Sequence, residues 1–213
     1  MKIEGVIFDC DGTLVDSEII SMQVLQQLCL DQGLTLSMEE AMDSFAGNEL
    51  AVVLQILEDK LNGKLPVDFL DTFRSKQLAE LAASLTAIHG AHELVKSLTV
   101  PTCVASNAPL SKVNLCLQIT ALDQFFPADR IFSAYTIEKW KPAPDLFLQA
   151  AQALAVPPQN CLVVEDSLFG VQAGVAAGMQ VVALDRHSRL NELPEGVVRV
   201  ECLTEIRQLD TCG

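Results

Sequence analysis

The sequence predicts a doubly wound α/β fold, a parallel Rossmann-like sheet with an all-helical cap domain inserted after its first strand. Three observations predict it. Short apolar runs stop abruptly at acidic residues or glycine, as strands buried on both faces do where their ends meet solvent. Helical segments alternate with those runs over residues 85–213, the pattern of a parallel sheet. Residues 16–84, by contrast, carry helical patterns alone.

The first strand is expected over Ile3 to Phe8, ending at Asp9. In the insertion, Ile20, Val24 and Leu28 recur every four residues up to Gly33, a good terminator, and Ser37 and Glu40 have capping-box spacing. Helices follow from Leu50 to Leu61, closed by Gly63, and from Val67 to about Ala83. Later strands are expected at Val100 to Ala105, Cys161 to Val164 and Val181 to Leu184, with weaker candidates at Ile131 to Phe132 and Val197 to Val200. Between them lie helices from Ala91 to Leu98, Leu110 to Ile119, Asp145 to Ala155 and Ser167 to Ala177. The glycines from Gly170 to Gly178 imitate a membrane dimerisation stripe, but Glu165 and Asp166 just upstream oppose a span, so close helix-to-sheet packing is expected. The resulting division is a core of residues 1–15 and 85–213 with a helical cap of residues 16–84, placed as a lid over the carboxyl edge where open α/β sheets bind ligands. Val15 to Ser17 and Leu85 to His89 are the expected hinges.

Composition excludes several classes. With 213 residues, 50% hydrophobic and 20% charged, the chain can bury one core plus a small insertion, and it has no disordered or repetitive tract. A formal charge of −14 opposes nucleic-acid binding, which draws on clustered Lys and Arg. No apolar run has the length of a bilayer span and no signal-peptide pattern is present, so a cytoplasmic monomer without membrane or nucleic-acid partners is expected. The seven Cys are scattered without a C-x-x-C pair, which suits reduced core thiols. His89 and His92 have no third ligand in view in the sequence, so no metal role is expected of them. Cys10, between two acids whose charge raises a thiol pKa, is expected in the core and unreactive.

Phosphoryl transfer to a carboxylate needs an in-line Asp, a divalent cation and an acid for the leaving alkoxide. Asp9 ends the first strand, and Gly12 lets the chain bend so that Asp11 turns back toward the same pocket. The Asp11 carbonyl would face the cation while its carboxyl serves as acid and base. Taken alone, the same two acids also fit a simple turn.

The run Asp9-Cys10-Asp11-Gly12-Thr13-Leu14-Val15-Asp16-Ser17-Glu18 resembles the opening motif of the haloacid dehalogenase superfamily. Three further motifs of that family follow in order, at Ser106-Asn107, at Lys141 within Trp140-Lys141-Pro142-Ala143-Pro144, and at Glu165-Asp166-Ser167, so the resemblance spans nearly the whole chain. It implies that Asp9 forms an aspartyl-phosphate, that Asp11 is the acid and base, and that Asp9, the Asp11 carbonyl and Asp166 hold Mg²⁺, with Glu165 acting through water. Such a set suits Mg²⁺, which takes a few carboxylate oxygens and keeps its waters. Ser106 and Asn107, before a helix beginning near Pro109, are expected to contact phosphate, joined by Gly12 and Thr13. Lys141 would neutralise the phosphate and Asp9 together.

Superfamily dehalogenases and phosphonatases lack the acid corresponding to Asp11, so its presence favours phosphate esters. The insertion resembles the cap of the β-phosphoglucomutase-like subgroup, in which a glycine-bearing loop helps select substrate; Phe45-Ala46-Gly47-Asn48-Glu49 stands at that position, making Gly47 and Asn48 candidate substrate contacts. Mutases of the subgroup carry an Arg after this glycine, whereas here Asn48, Glu49 and Leu50 follow, which favours a phosphatase. Arg74 and Lys76 are the cationic candidates for a distal charge on the substrate, though a solvated helix face explains them equally. The spelling around Trp140-Lys141-Pro142 and Asn160-Cys161 resembles phosphatases acting on 6-phosphogluconate and similar sugar acids. The expected substrate is therefore a small sugar phosphate or sugar-acid phosphate. The alternatives are a sugar-phosphate mutase and, from another class, a phospho-accepting regulatory module.

Overall fold

The computed structural model describes residues 2–45 and 50–208. In chain order its strands and helices are β1 (Gly5–Phe8), α1 (Glu18–Asp31), α2 (Met38–Phe45), α3 (Leu50–Leu61), α4 (Phe69–Ser84), α5 (Ala91–Ser97), β2 (Thr102–Ser106) and α6 (Leu110–Ile119). There follow β3 (Ile131–Ser133), α7 (Ala134–Ile137), α8 (Asp145–Leu154), β4 (Cys161–Glu165), α9 (Leu168–Ala176), β5 (Gln180–Leu184) and β6 (Val198–Val200). The contacts divide the chain into two compact units, Met1–Asp16 with Thr86–Gly213, and Ser17–Leu85.

In the first unit six parallel strands stand in the order β3-β2-β1-β4-β5-β6. Val6, Ile7, Val163, Val164, Val181 and Val182 are buried, as β-branched residues of a sheet covered on both faces must be. The order reverses direction between β1 and β4, and the crevice outside their carboxyl ends is where such sheets bind ligands. Phe8 pairs with Val164, so Asp9 stands level with Glu165. Leu146, Phe147, Ala150 and Leu154 of α8 form one helical face that packs with Ile7, Cys103, Ala105 and Val163.

The small-residue stripe has two functions in α9. A Cβ on Gly174 would lie 2.8 Å from Val181 Cγ2, so the helix sits close on the sheet as expected. A Cβ on Gly170 would instead lie 1.8 Å from Glu165 Oε1, so this glycine makes room for a carboxylate. Among the described residues six cysteines are free, and all but Cys202 are buried.

The helical unit has its own core, centred on Leu25, Cys29, Phe45, Leu57 and Phe73. In α1 the buried stripe runs through Val24, Leu25, Leu28 and Cys29, while Ile20 is only half-buried, so the expected four-residue row is one edge of a wider face. The capping box forms: Ser37 N–H donates to Glu40 Oε2 at 2.8 Å and Glu40 N–H donates to Ser37 Oγ at 3.1 Å. The last helix starts at Phe69 and not at Val67, because Phe69 N–H closes a turn onto Pro66 O at 3.0 Å and leaves Val67 in solvent. The loop containing Gly47 and Asn48 lies outside the described residues. No helix among the described residues is long and apolar enough to cross a membrane.

Candidate active site

At the carboxyl end of β1, Asp9 N–H continues the ladder by donating to Val164 O at 2.9 Å. The chain then turns tightly, with Leu14 and Val15 N–H both donating to Cys10 O, at 2.9 and 3.0 Å. Gly12 makes this turn with φ +78°, a region that strains residues bearing a Cβ. Space demands glycine as well: a Cβ there would lie 1.9 Å from Asp166 Oδ2. Gly12 thus brings the carboxylate that follows β4 against the loop that carries Asp9 and Asp11.

Lys141 reaches this point from the loop before α8. Its Nζ donates to Asp9 Oδ1 at 2.5 Å, Glu165 Oε1 at 2.7 Å and Ala105 O at 2.8 Å, and it stands 4.8 Å from the Phe147 ring centroid. Three acceptors use all three donors of an ammonium. Burial opposes its charge, but Asp9 and Glu165 more than offset that and hold its pKa above the ordinary lysine value. Burial pushes the Asp9 carboxyl up, to about 8; Lys141 opposes the shift, and Glu165 and Asp11 add to it. One ammonium therefore does not fully offset the desolvation of this carboxyl, and a further cation would.

Several expected groups also have partners within the protein. Thr13, expected at phosphate, is buried and donates its hydroxyl to Asp166 Oδ1 at 3.1 Å, so it steadies a carboxylate. The Asn107 side chain, expected at phosphate too, clasps the Lys141 backbone: its Oδ1 accepts from Lys141 N–H at 2.9 Å and its Nδ2 donates to Lys141 O at 3.4 Å. Glu165, expected near the metal, spends Oε1 on Lys141 and Oε2 on the Ser167 N–H and hydroxyl, both at 2.9 Å. Ser106 is buried and its Oγ accepts from Ala108 N–H at 3.0 Å, which leaves the hydroxyl proton to donate. In the helical unit Lys76 lies 3.9 Å from Asp31, with both side chains about half exposed, while Arg74 is half-buried.

One charged group was not anticipated. Lys112, in the first turn of α6, places Nζ 2.8 Å from Asp11 Oδ1. A cation is disfavoured at that end of a helix, where the free N–H groups carry partial positive charge. That local conflict was the available signal. Burial opposes the Lys112 charge, and Asp11 reverses the effect and raises its pKa.

No three His, Cys, Asp or Glu side chains among the described residues converge as a metal cage. The implied set is of another kind, two carboxylates from Asp9 and Asp166 with one backbone carbonyl from Asp11. Hard oxygen donors, the room that Gly12 leaves for Asp166 and the incompletely offset Asp9 carboxyl all fit Mg²⁺ with water completing its shell.

A doubly wound sheet with buried acid–ammonium contacts outside its switch point defines a Rossmann-like α/β protein. Its identity follows from comparison: residues 6–184 match the haloacid dehalogenase-like hydrolase family, and the chain belongs to that family. It is 39% identical over 181 residues to the 6-phosphogluconate phosphatase of Escherichia coli K12, covering 84% of this chain and 81% of that one. To hexitol phosphatase A of the same organism it is 30% identical over 217 residues, covering 98% of this chain and 96% of that one. A haloacid dehalogenase family hydrolase of Deinococcus radiodurans R1, crystallised with phosphate and sodium, superposes with a TM-score of 0.78 at 32% identity, covering 97% of this chain and 94% of that one. The chain is thus a hydrolase of a family whose named relatives include phosphatases.

Proposed function

We propose that the protein hydrolyses a small sugar phosphate or sugar-acid phosphate, 6-phosphogluconate among them, through an aspartyl-phosphate on Asp9. The observation that carries this is the buried contact of Lys141 with both Asp9 and Glu165, which aims a carboxylate and a fixed positive charge at one place. Asp9 attacks phosphorus, the bond from phosphorus to the ester oxygen breaks, and Asp11 gives its proton to the departing alkoxide. Asp11 then takes a proton from the water that opens the aspartyl-phosphate, which returns the enzyme and releases phosphate. Lys141 and the Ser106 hydroxyl stabilise charge on the phosphoryl oxygens. Asp9, the Asp11 carbonyl and Asp166 would hold Mg²⁺, whose chemistry is to offset charge on those oxygens.

The substrate class is supported by the named activities of the two E. coli relatives. The helical unit Ser17–Leu85 is assigned the role of a substrate-selecting cap by family resemblance. The test is phosphate release from a sugar-phosphate panel with Mg²⁺ by wild-type protein and Asp9→Asn, with phosphorus NMR to detect interconverted isomers. Release that needs Mg²⁺ and Asp9 is expected. Activity in Asp9→Asn, or activity indifferent to a chelator, overturns the mechanism, and isomerisation without net release makes the protein a mutase.

A further inference from the structure

Lys112 belongs to none of the motifs read in the sequence, yet its ammonium is 2.8 Å from Asp11 Oδ1 and its side chain is only 14% exposed. A lysine on an open helix face keeps its hydration and its rotamer freedom. One drawn inward gives up both, and only a well-placed anion offsets that. Lys112 also works against its own helix, as the third residue of α6 where a cation is disfavoured.

The two ends of this ion pair are anchored independently. Around Asp11 the backbone is set by the bonds of Leu14 and Val15 to Cys10 O and by Gly12 N–H to Val15 O at 2.9 Å. With that backbone fixed, the position of the carboxyl depends on its two side-chain torsions, and the contact at Oδ1 restrains them. Lys112 starts from a helix whose first turn is pinned by Lys112 and Val113 N–H donating to Pro109 O, at 2.9 and 3.1 Å. Pro109 follows β2, the neighbour of β1, so the pair links the loops at the ends of two adjacent strands. The two lysines thereby divide the site: buried Lys141 holds Asp9 and Glu165, and partly buried Lys112 holds Asp11.

We propose that Lys112 is a positioning residue that sets the Asp11 carboxyl for proton transfer to the leaving alkoxide, an inference that rests on the acid and base role proposed for Asp11. In that step the Asp9 oxygen bonds to phosphorus, the ester oxygen leaves, and the Asp11 proton moves to it. A nitrophenolate leaves without an acid and an alkoxide does not, so the contribution of Lys112 depends on the leaving group.

The experiment measures kcat and KM on a hexose phosphate and on p-nitrophenyl phosphate for wild type, Lys112→Met, Lys112→Arg, Asp11→Asn and the Asp11→Asn/Lys112→Met double variant. In Lys112→Met, kcat/KM on the hexose phosphate is expected to fall by about 10- to 100-fold, mainly through kcat, as misplacement of a catalytic group costs. On p-nitrophenyl phosphate the loss is under about threefold, Lys112→Arg regains most of the activity, and the double variant is no worse than Asp11→Asn. Should Lys112→Met not fold, Lys112→Gln is compared in the same way. Equal losses on both substrates, or a further loss in the double variant, overturn the inference. If Asp11→Asn itself does not distinguish the two leaving groups, the role of Asp11 falls and this inference with it; if it does and Lys112→Met does not, only the inference falls.

Discussion

In the α/β unit the side chains of Lys141, Asp9 and Glu165 are 2%, 9% and 1% exposed and in direct contact, whereas in the helical unit Lys76 and Asp31 meet at 3.9 Å with each about half in water. The helical interior is apolar apart from contacts such as Gln77 Nε2 donating to Ser21 Oγ at 2.8 Å. Its charges can be satisfied by solvent and place few demands on geometry. The charges at the strand ends have lost that option, so each must be met by a partner at a set distance, and such an arrangement persists where it serves chemistry. Substitutions in the two regions should therefore be felt in different measurements.

The largest expected effect is on catalysis. Lys141→Met should reduce kcat by about 10²- to 10³-fold and, by leaving two buried carboxylates without their shared cation, lower stability by about 3–5 kcal/mol, read by steady-state kinetics and urea unfolding. Loss of activity without loss of stability would mean that the pair is not buried in solution. Leu57→Ala, at a fully buried position of the helical unit, is expected to cost about 2–5 kcal/mol, seen as an earlier urea transition for that unit, while Lys141 chemistry at saturating substrate persists under native conditions. If kcat fell as far as in Lys141→Met, the contrast between the regions would be broken.

A further effect, on stability alone, is expected from pH and metal. Burial raises Asp9 to about 8, so the folded protein binds a proton that the unfolded chain has already released, and its contribution to stability falls as pH rises from about 4 to that value. Mg²⁺ competes with this proton, so adding it should raise Tm more at pH 8 than at pH 5 in a thermal melt. Equal shifts at the two pH values would remove Asp9 from the metal set. The smallest effect is expected for Lys76→Ala, under about 1 kcal/mol by urea titration, since its half-exposed ion pair is screened by water.

Much of the site was legible because the relevant residues fall in short runs at strand ends. Asp9, Lys141 and Asp166 were each picked from such runs, and the structure draws Asp9 to Lys141 and Asp166 to the Gly12 turn. Thr13, Asn107 and Glu165 were named for a phosphate and a metal, and the structure adds partners within the protein that the motifs did not show: Asp166, the Lys141 backbone, and Lys141 with Ser167. A short motif shows which polar groups are at hand without showing which of them face one another. Lys112 escaped because the cation in the first turn of α6 gives no sign of its partner, which lies 101 residues away in the chain.

By itself the sequence determined the alternation of strands and helices, the helical insertion and the acids at the end of the first strand, because these follow from local periodicity and from residues adjacent in the chain. Only the tertiary structure decided how the charges are shared. The reversal between β1 and β4 and the register of Phe8 on Val164 bring Glu165 level with Asp9. Lys141 then bridges the two, and Lys112 reaches Asp11 from the helix after β2. Pairing between distant residues depends on which strands become neighbours, and burial of the whole sheet, not local preference, selects those neighbours.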